Sequence, residues 1–138
     1  MPVFSSPELL QTTLETLFAH VGQDPQAAKS VVNSRLILRM RIMAPEADVV
    51  VNGRKDPPHI IYGKSSLRPD LEILLSAEAL HKILLGELHL SSAVAARQLV
   101  VRGPIYKSFV FEDIFHSAQA FYPKVLEEVG VDGYRKSA

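Results

Sequence analysis

The chain is 138 residues long, with 47% hydrophobic and 22% charged side chains, the make-up of one globular domain spanning residues 1–138. Lys plus Arg and Asp plus Glu number 15 each, so the formal charge cancels, and with no basic run the footprint of a nucleic-acid binder is missing. Cysteine is absent, which excludes disulfides, thiolate catalysis and thiolate metal sites and fits the cytoplasm; residues 1–8 lack the pattern of a secretory signal and no run of about eighteen apolar residues occurs, so a soluble protein without stable membrane insertion is expected.

Ser5 or Ser6 before Pro7 starts a helix over residues 6–22, in which Leu10, Leu14, Leu17 and Val21 form an apolar stripe and Gly22 is the stop. Asp24-Pro25 opens a second, short helix to about Asn33. Leu36, Leu38, Met40 and Ile42 then alternate with Ile37, Arg39, Arg41 and Met43, which predicts a strand with one aliphatic face and one face left to solvated arginines. Strands at 48–52 and 59–62, separated by Asn52-Gly53 and Asp56-Pro57-Pro58, complete a β-meander.

Leu71, Ile73 and Leu75 mark a fourth strand, and Ser76 caps a helix carrying Leu80, Ile83 and Leu84 that stops at Gly86. Ser91 and Ser92 start a short helix through Ala96, and Leu99 to Val101 form a fifth strand closed by Gly103-Pro104. From Ile105 to Tyr122 the helical circumference is mostly apolar, which demands cover on several sides. Pro123 is expected to break or restart this helix before Val125, Leu126 and Val129, and residues 131–138 read as a polar tail.

Residues 70–103 carry a recognisable order of features: Asp70-Leu71-Glu72-Ile73-Leu74-Leu75-Ser76, then Leu84-Leu85-Gly86-Glu87-Leu88, then the small-residue helix from Ser91 to Ala96, then Leu99-Val100-Val101-Arg102-Gly103. This pattern resembles the core of the sterol-carrier-protein type 2 family, and by order of elements the likeness extends over residues 36–122. Two departures stand out: Arg97 where the family usually has glycine before the last strand, and Pro104 directly after Gly103. The resemblance implies an α+β fold, a five-stranded, mostly antiparallel sheet covered by helices around an internal hydrophobic cavity. It also implies binding and transfer of a lipid-like apolar small molecule: a fatty acid, acyl-CoA, sterol-like compound or phospholipid. No cofactor is implied.

A lipid cavity needs apolar walls, because an unpaired polar group buried there costs about 1–3 kcal/mol. The candidate ligand-binding residues are Leu71, Ile73, Leu75, Leu80, Leu84, Leu99, Val101, Ile105, Phe109 and Phe115. The same periodicity also marks an ordinary close-packed core.

Catalytic and metal signals are weak. Glu112 and His116 are four apart on a predicted helix with Asp113 between them, a partial site at most, and a histidine beside acids on a helix is more often a surface hydrogen-bonding group. Gly86 separates His81 from His89, while His59 and His20 fall in a turn and at a helix end. None of the nucleophile-elbow, zinc-helix or phosphate-loop motifs occurs, so neither an enzyme nor a metal site is expected. Asn52-Gly53-Arg54-Lys55-Asp56 is a candidate headgroup portal, though such a sequence is usually a plain turn. Tyr106 and Tyr122 are candidate rim anchors, more simply read as tyrosines with their tips in water. Two other readings stand beside the carrier: a module in which the apolar final helix forms a homodimer or binds another protein, and an enzyme acting on a small apolar metabolite.

Overall fold

The computed structural model describes residues 3–131, so most of the proposed polar tail lies outside the described residues. Helices α1 (Pro7–Val21) and α2 (Pro25–Ser34) lead in. Each starts at a capped proline: Ser6 Oγ accepts the Leu9 amide at 3.1 Å, and the Asp24 carboxylate accepts the Gln26 amide at 3.1 Å. Strands β1 (Ile37–Met43), β2 (Ala47–Asn52) and β3 (His59–Tyr62) form the expected antiparallel meander. β4 (Leu71–Ser76) pairs parallel with β1, and β5 (Leu99–Arg102) antiparallel with β4, giving the order β3-β2-β1-β4-β5.

The parallel β1–β4 pair requires a crossover, which residues 63–70 make without a helix. The crossover leaves β3 where the Gly63 amide donates to the Asp48 carbonyl of β2 at 2.8 Å, and lands beside β1 where the Asp70 amide donates to the Ile37 carbonyl at 2.7 Å. The Asp70 carboxylate accepts the Ile37 amide at 2.8 Å and, on its two oxygens, the Arg54 guanidinium at 3.1 and 2.9 Å. Arg54 also donates to the Arg35 carbonyl at 3.2 Å, so this arginine of the candidate portal is engaged in the fold. Gly103 closes the corner: at φ +114° its hydrogen faces the Asp70 carbonyl, which a Cβ would meet at 2.6 Å.

Helices α3 (Ala77–Leu84), α4 (Leu90–Ala95) and α5 (Phe109–Glu128) complete the layer that covers one sheet face. Leu38, Met40, Ile42, Val49, Leu71, Ile73, Leu75 and Leu99 point into the core shared with Leu14, Leu17, Val110, Ile114 and Phe115. On the opposite face Arg39 lies 3.3 Å from both Asp48 and Glu72, and Arg102 lies 3.6 Å from Glu72. That face is an ion-pair row rather than a set of free arginines, and Arg39 and Arg102 give the buried Glu72 side chain its partners.

α3 and α4 both end with a left-handed residue. Gly86 does so after α3 at φ +77°, with the Glu87 amide reaching the Lys82 carbonyl at 2.8 Å. After α4 the same position is Arg97, at φ +60°, with the Gln98 amide on the Ala93 carbonyl at 2.8 Å. The arginine thus adopts the backbone that glycine favours. α4 itself begins at Leu90, from His89 and without a side-chain cap, rather than at the serines.

Three expectations about the last helix are corrected. Residues Ile105–Lys107 form a 3-10 turn, and the α-helix begins at Phe109. Pro123 lies inside α5, which continues to Glu128, because Tyr122, Val125 and Leu126 are all buried and their packing outweighs a proline penalty of about 3 kcal/mol. Tyr122 does not put its tip in water: its hydroxyl shares a 2.7 Å hydrogen bond with Nδ1 of buried His81, and Gln119 donates to the Ile83 carbonyl at 2.9 Å. These two bonds clamp α5 to α3. Burial holds His81 below its ordinary value of 6.5, against the raising pull of Glu87 and Glu78, and burial likewise pushes the Tyr122 phenol up.

Two outcomes follow for stability. Asp70→Ala is expected to cost about 2–3 kcal/mol in chemical denaturation, because the Ile37 amide loses a charged acceptor, whereas Arg54→Ala, removing a largely exposed partner, costs less than about 1 kcal/mol; equal losses would contradict the primacy of the backbone bond. Because the folded state keeps His81 neutral, the unfolded state binds the extra proton, so stability is full above pH 6.5 and falls as the pH drops below it. Comparing unfolding curves of the wild type and His81→Gln across that range should show the acid loss diminished in the variant.

Candidate functional site

The helical layer leaves two apolar pockets against the sheet. The first, of about 220 Å³, lies between β4, β5, α4 and the start of α5 and is lined by Ile73, Leu90, Val94, Leu99, Val101, Ile105 and Phe111, with Ser91, Ser108 and Glu112 as its polar groups. The second, of about 270 Å³, is lined by Phe18, Val21 and Gly22 of α1 and its end, Ala27, Ala28 and Val31 of α2, and Val51, Pro57, Pro58 and Ile60 of the meander. A void of about 10 Å³, walled by Phe18, Leu38, Met40, Val49, Val51, Phe111, Ile114 and Phe115, lies between them along the sheet. Phe18, Val51 and Ile114 belong to both the void and the second pocket, and Phe111 to both the void and the first.

The sequence-derived candidates separate into groups. Ile73, Leu99, Val101 and Ile105 meet in the first pocket, and Phe115 borders the void. Leu71, Leu75, Leu80 and Leu84 are wholly buried in the core and line none of these spaces. Phe109 stands exposed as the first residue of α5, directly after the 3-10 turn, and lines none of these spaces.

Leu90 and Val94, four apart on α4, were the sequence signal for the remaining wall of the first pocket. The second pocket was not foreseen. Its room comes from the small side chains Ala27 and Ala28, which in sequence are indistinguishable from helix filler.

A polar groove of about 360 Å³ runs along the α2–α5 contact and contains Asp24, Lys29, Ser30, Asn33, Asp113 and His116. Asp113 there accepts a hydrogen bond from Ser30 Oγ at 2.5 Å. Glu112 instead borders the first apolar pocket, so the Glu112, Asp113 and His116 set is divided between two sites. Among the described residues no group of three or more His, Asp or Glu side chains is placed to hold a metal ion.

No family model and no curated protein matches the chain. Solved structures do. The apo form of sterol carrier protein 2 from Yarrowia lipolytica superposes with a TM-score of 0.60 at 16% identity, over 86% of this chain and 95% of that one. The sterol carrier protein domain 2 of Helicoverpa armigera gives 0.61 at 15% identity, over 79% and 89%. Palmitated SCP2L2 from Aedes aegypti gives 0.56 at 17% identity, over 77% and 93%. The element order read from residues 36–122, the sheet with its single parallel pair, and these superpositions agree: the chain has the sterol carrier protein 2 fold.

Proposed function

We propose that the protein binds a lipid-like apolar ligand along the helix-covered face of the sheet and acts as a carrier rather than an enzyme. The observation that supports this reading most directly is the alignment of two apolar pockets through a narrow void beneath α5. Each pocket alone is slightly smaller than the roughly 300–1,000 Å³ of a typical ligand site, while the two joined would fall within that range. Side chains of Phe111, Ile114 and Phe115 close the passage, and rotamer changes there would admit an acyl chain.

Each buried methylene contributes about 0.8 kcal/mol, so an acyl chain of about a dozen methylenes would bind at micromolar strength after ordering costs. Ser91, Ser108 and Glu112 suit hydrogen bonding to a hydroxyl or amide headgroup. The palmitated state of the Aedes protein supports a fatty acid as the first ligand to try. No helix among the described residues is long and apolar enough to cross a membrane; the cysteine-free sequence supports a carrier working in the cytoplasm.

The homodimer reading has less to stand on. Val110, Phe111, Ile114, Phe115, Ala118 and Tyr122 are buried within the chain, leaving Phe109 as the large apolar side chain that α5 exposes.

A fluorescent fatty acid titrated into the protein tests the proposal. Val94→Trp fills the first pocket from its rim and should weaken binding by about tenfold or more, equivalent to 1.4 kcal/mol. Ala28→Trp, filling the second pocket, should weaken binding only for acyl chains long enough to reach it. No saturable binding by the wild-type protein would remove the carrier reading.

A further inference from the structure

The three spaces beneath the helices differ in polarity. The second pocket and the void are walled by apolar side chains alone, with no hydroxyl, amide or charged group among them. The first pocket has an equally aliphatic floor in Ile73, Leu99 and Val101, but adds Ser91, Ser108 and Glu112. A chain-shaped ligand with one polar end therefore has one place to put that end, because a polar group buried without a partner is costly.

The polar side chains of the first pocket are not used by the fold. At the starts of α1, α2 and α3, Ser6, Asp24 and Ser76 each give a side-chain oxygen to a backbone amide. Ser108 holds the same position before α5, yet its hydroxyl caps nothing. Ser91 and Glu112 likewise have no side-chain hydrogen bond or ion pair among the described residues. Within the first turn of α5 the contrast is direct: the Asp113 carboxylate is bonded to Ser30 across the α2–α5 contact, whereas Glu112, one residue earlier, borders the pocket. Arg97 and Lys107 belong to adjoining turns, but neither lines the pocket. Lys107 lies over the Tyr106 ring at 5.9 Å, and Arg102 pairs with Glu72 on the other face of the sheet.

We infer that the first pocket is the head subsite of the carrier, and that Glu112 makes it select a head that donates a hydrogen bond and bears no negative charge, such as a primary alcohol or amide, over the carboxylate of a fatty acid. An alcohol or amide donates to the Glu112 carboxylate in a charge-assisted bond and accepts from the hydroxyl of Ser108 or Ser91. A fatty carboxylate accepts only: it can bond to the serines, but it meets Glu112 with like charge and nothing to donate. A free fatty acid is then a usable but weaker ligand, and in either case the tail runs toward the second pocket. This rests on the carrier reading and narrows it to a class of ligand.

The test is calorimetric titration of the full chain, wild type and Glu112→Gln, with 1-dodecanol, lauramide and sodium laurate, which share a chain length and differ in the head. The wild type should bind the alcohol and the amide about tenfold more tightly than laurate, and Glu112→Gln should narrow that gap to about twofold by strengthening laurate binding. Damage to packing would weaken all three ligands, so a gain in laurate affinity is a result that a merely structural role for Glu112 does not give. Ser108→Ala should weaken dodecanol binding by about threefold, through loss of one hydrogen bond. Laurate bound by the wild type as tightly as dodecanol overturns the inference and leaves the carrier reading standing, as does a gap that Glu112→Gln leaves unchanged. No saturable binding of any of the three removes the carrier reading and the head subsite together.

Discussion

A parallel strand pair made without a crossover helix must be held in register by something else, and in this protein Asp70 does it. β4 has to start level with β1 for Leu71, Ile73 and Leu75 to face the helices rather than the ion-pair row, since a slip of one residue would exchange the two faces. Asp70 prevents the slip by bonding both backbone groups of Ile37, one through its amide and one through its carboxylate. Arg54 reaches the same carboxylate from the chain beyond β2, and Gly103 lets the exit from β5 approach its carbonyl. Four segments of chain therefore meet at one residue, and the pocket-lining face of the sheet depends on that meeting.

α5 performs the complementary task on the other layer. It is long, apolar on several sides, and satisfied by α1, α2, α3 and the sheet together. Its clamps to α3 lie toward its middle and far end, at Gln119 and Tyr122. Its head has no such bonds to α3, and there Ile105 and Phe109 are exposed and the first pocket opens. The arrangement places the hydrogen-bonded part of the helix over the core and its exposed first residue, Phe109, beside the opening of the first pocket.

The strands and the β1–β2–β3 meander were legible because period-two alternation buries one face of Leu36–Ile42 and Leu71–Leu75, and turn residues punctuate the meander; the parallel pairing of β4 with β1 has no such local signal. Caps at Ser6, Asp24 and Ser76 were equally plain, since each answers to a local rule. What escaped the sequence depends on partners far along the chain. His81 and Tyr122 are 41 residues apart, so neither could be seen as the other's hydrogen-bond partner. Pro123 obeys tertiary packing over local preference. The wall candidates show the same division: Ile73, Leu99 and Val101 share a pocket, whereas Leu80 and Leu84, with the same period and chemistry, are solid core. Periodicity reports which side of an element is dry, and the difference between a filled and an open dry space lies in the volumes of the side chains opposite.

Arg97 shows two local preferences in conflict. A non-glycine residue in left-handed backbone carries a strain of about 1 kcal/mol, and the Gly86 turn one helix earlier shows the relaxed solution within the same chain. Replacing Arg97 by glycine would relieve the backbone and at the same moment remove a cation from the C-terminal end of α4, where positive charge is favoured. Backbone relief and charge at the helix end thus pull this position in opposite directions, and a glycine there would exchange one for the other.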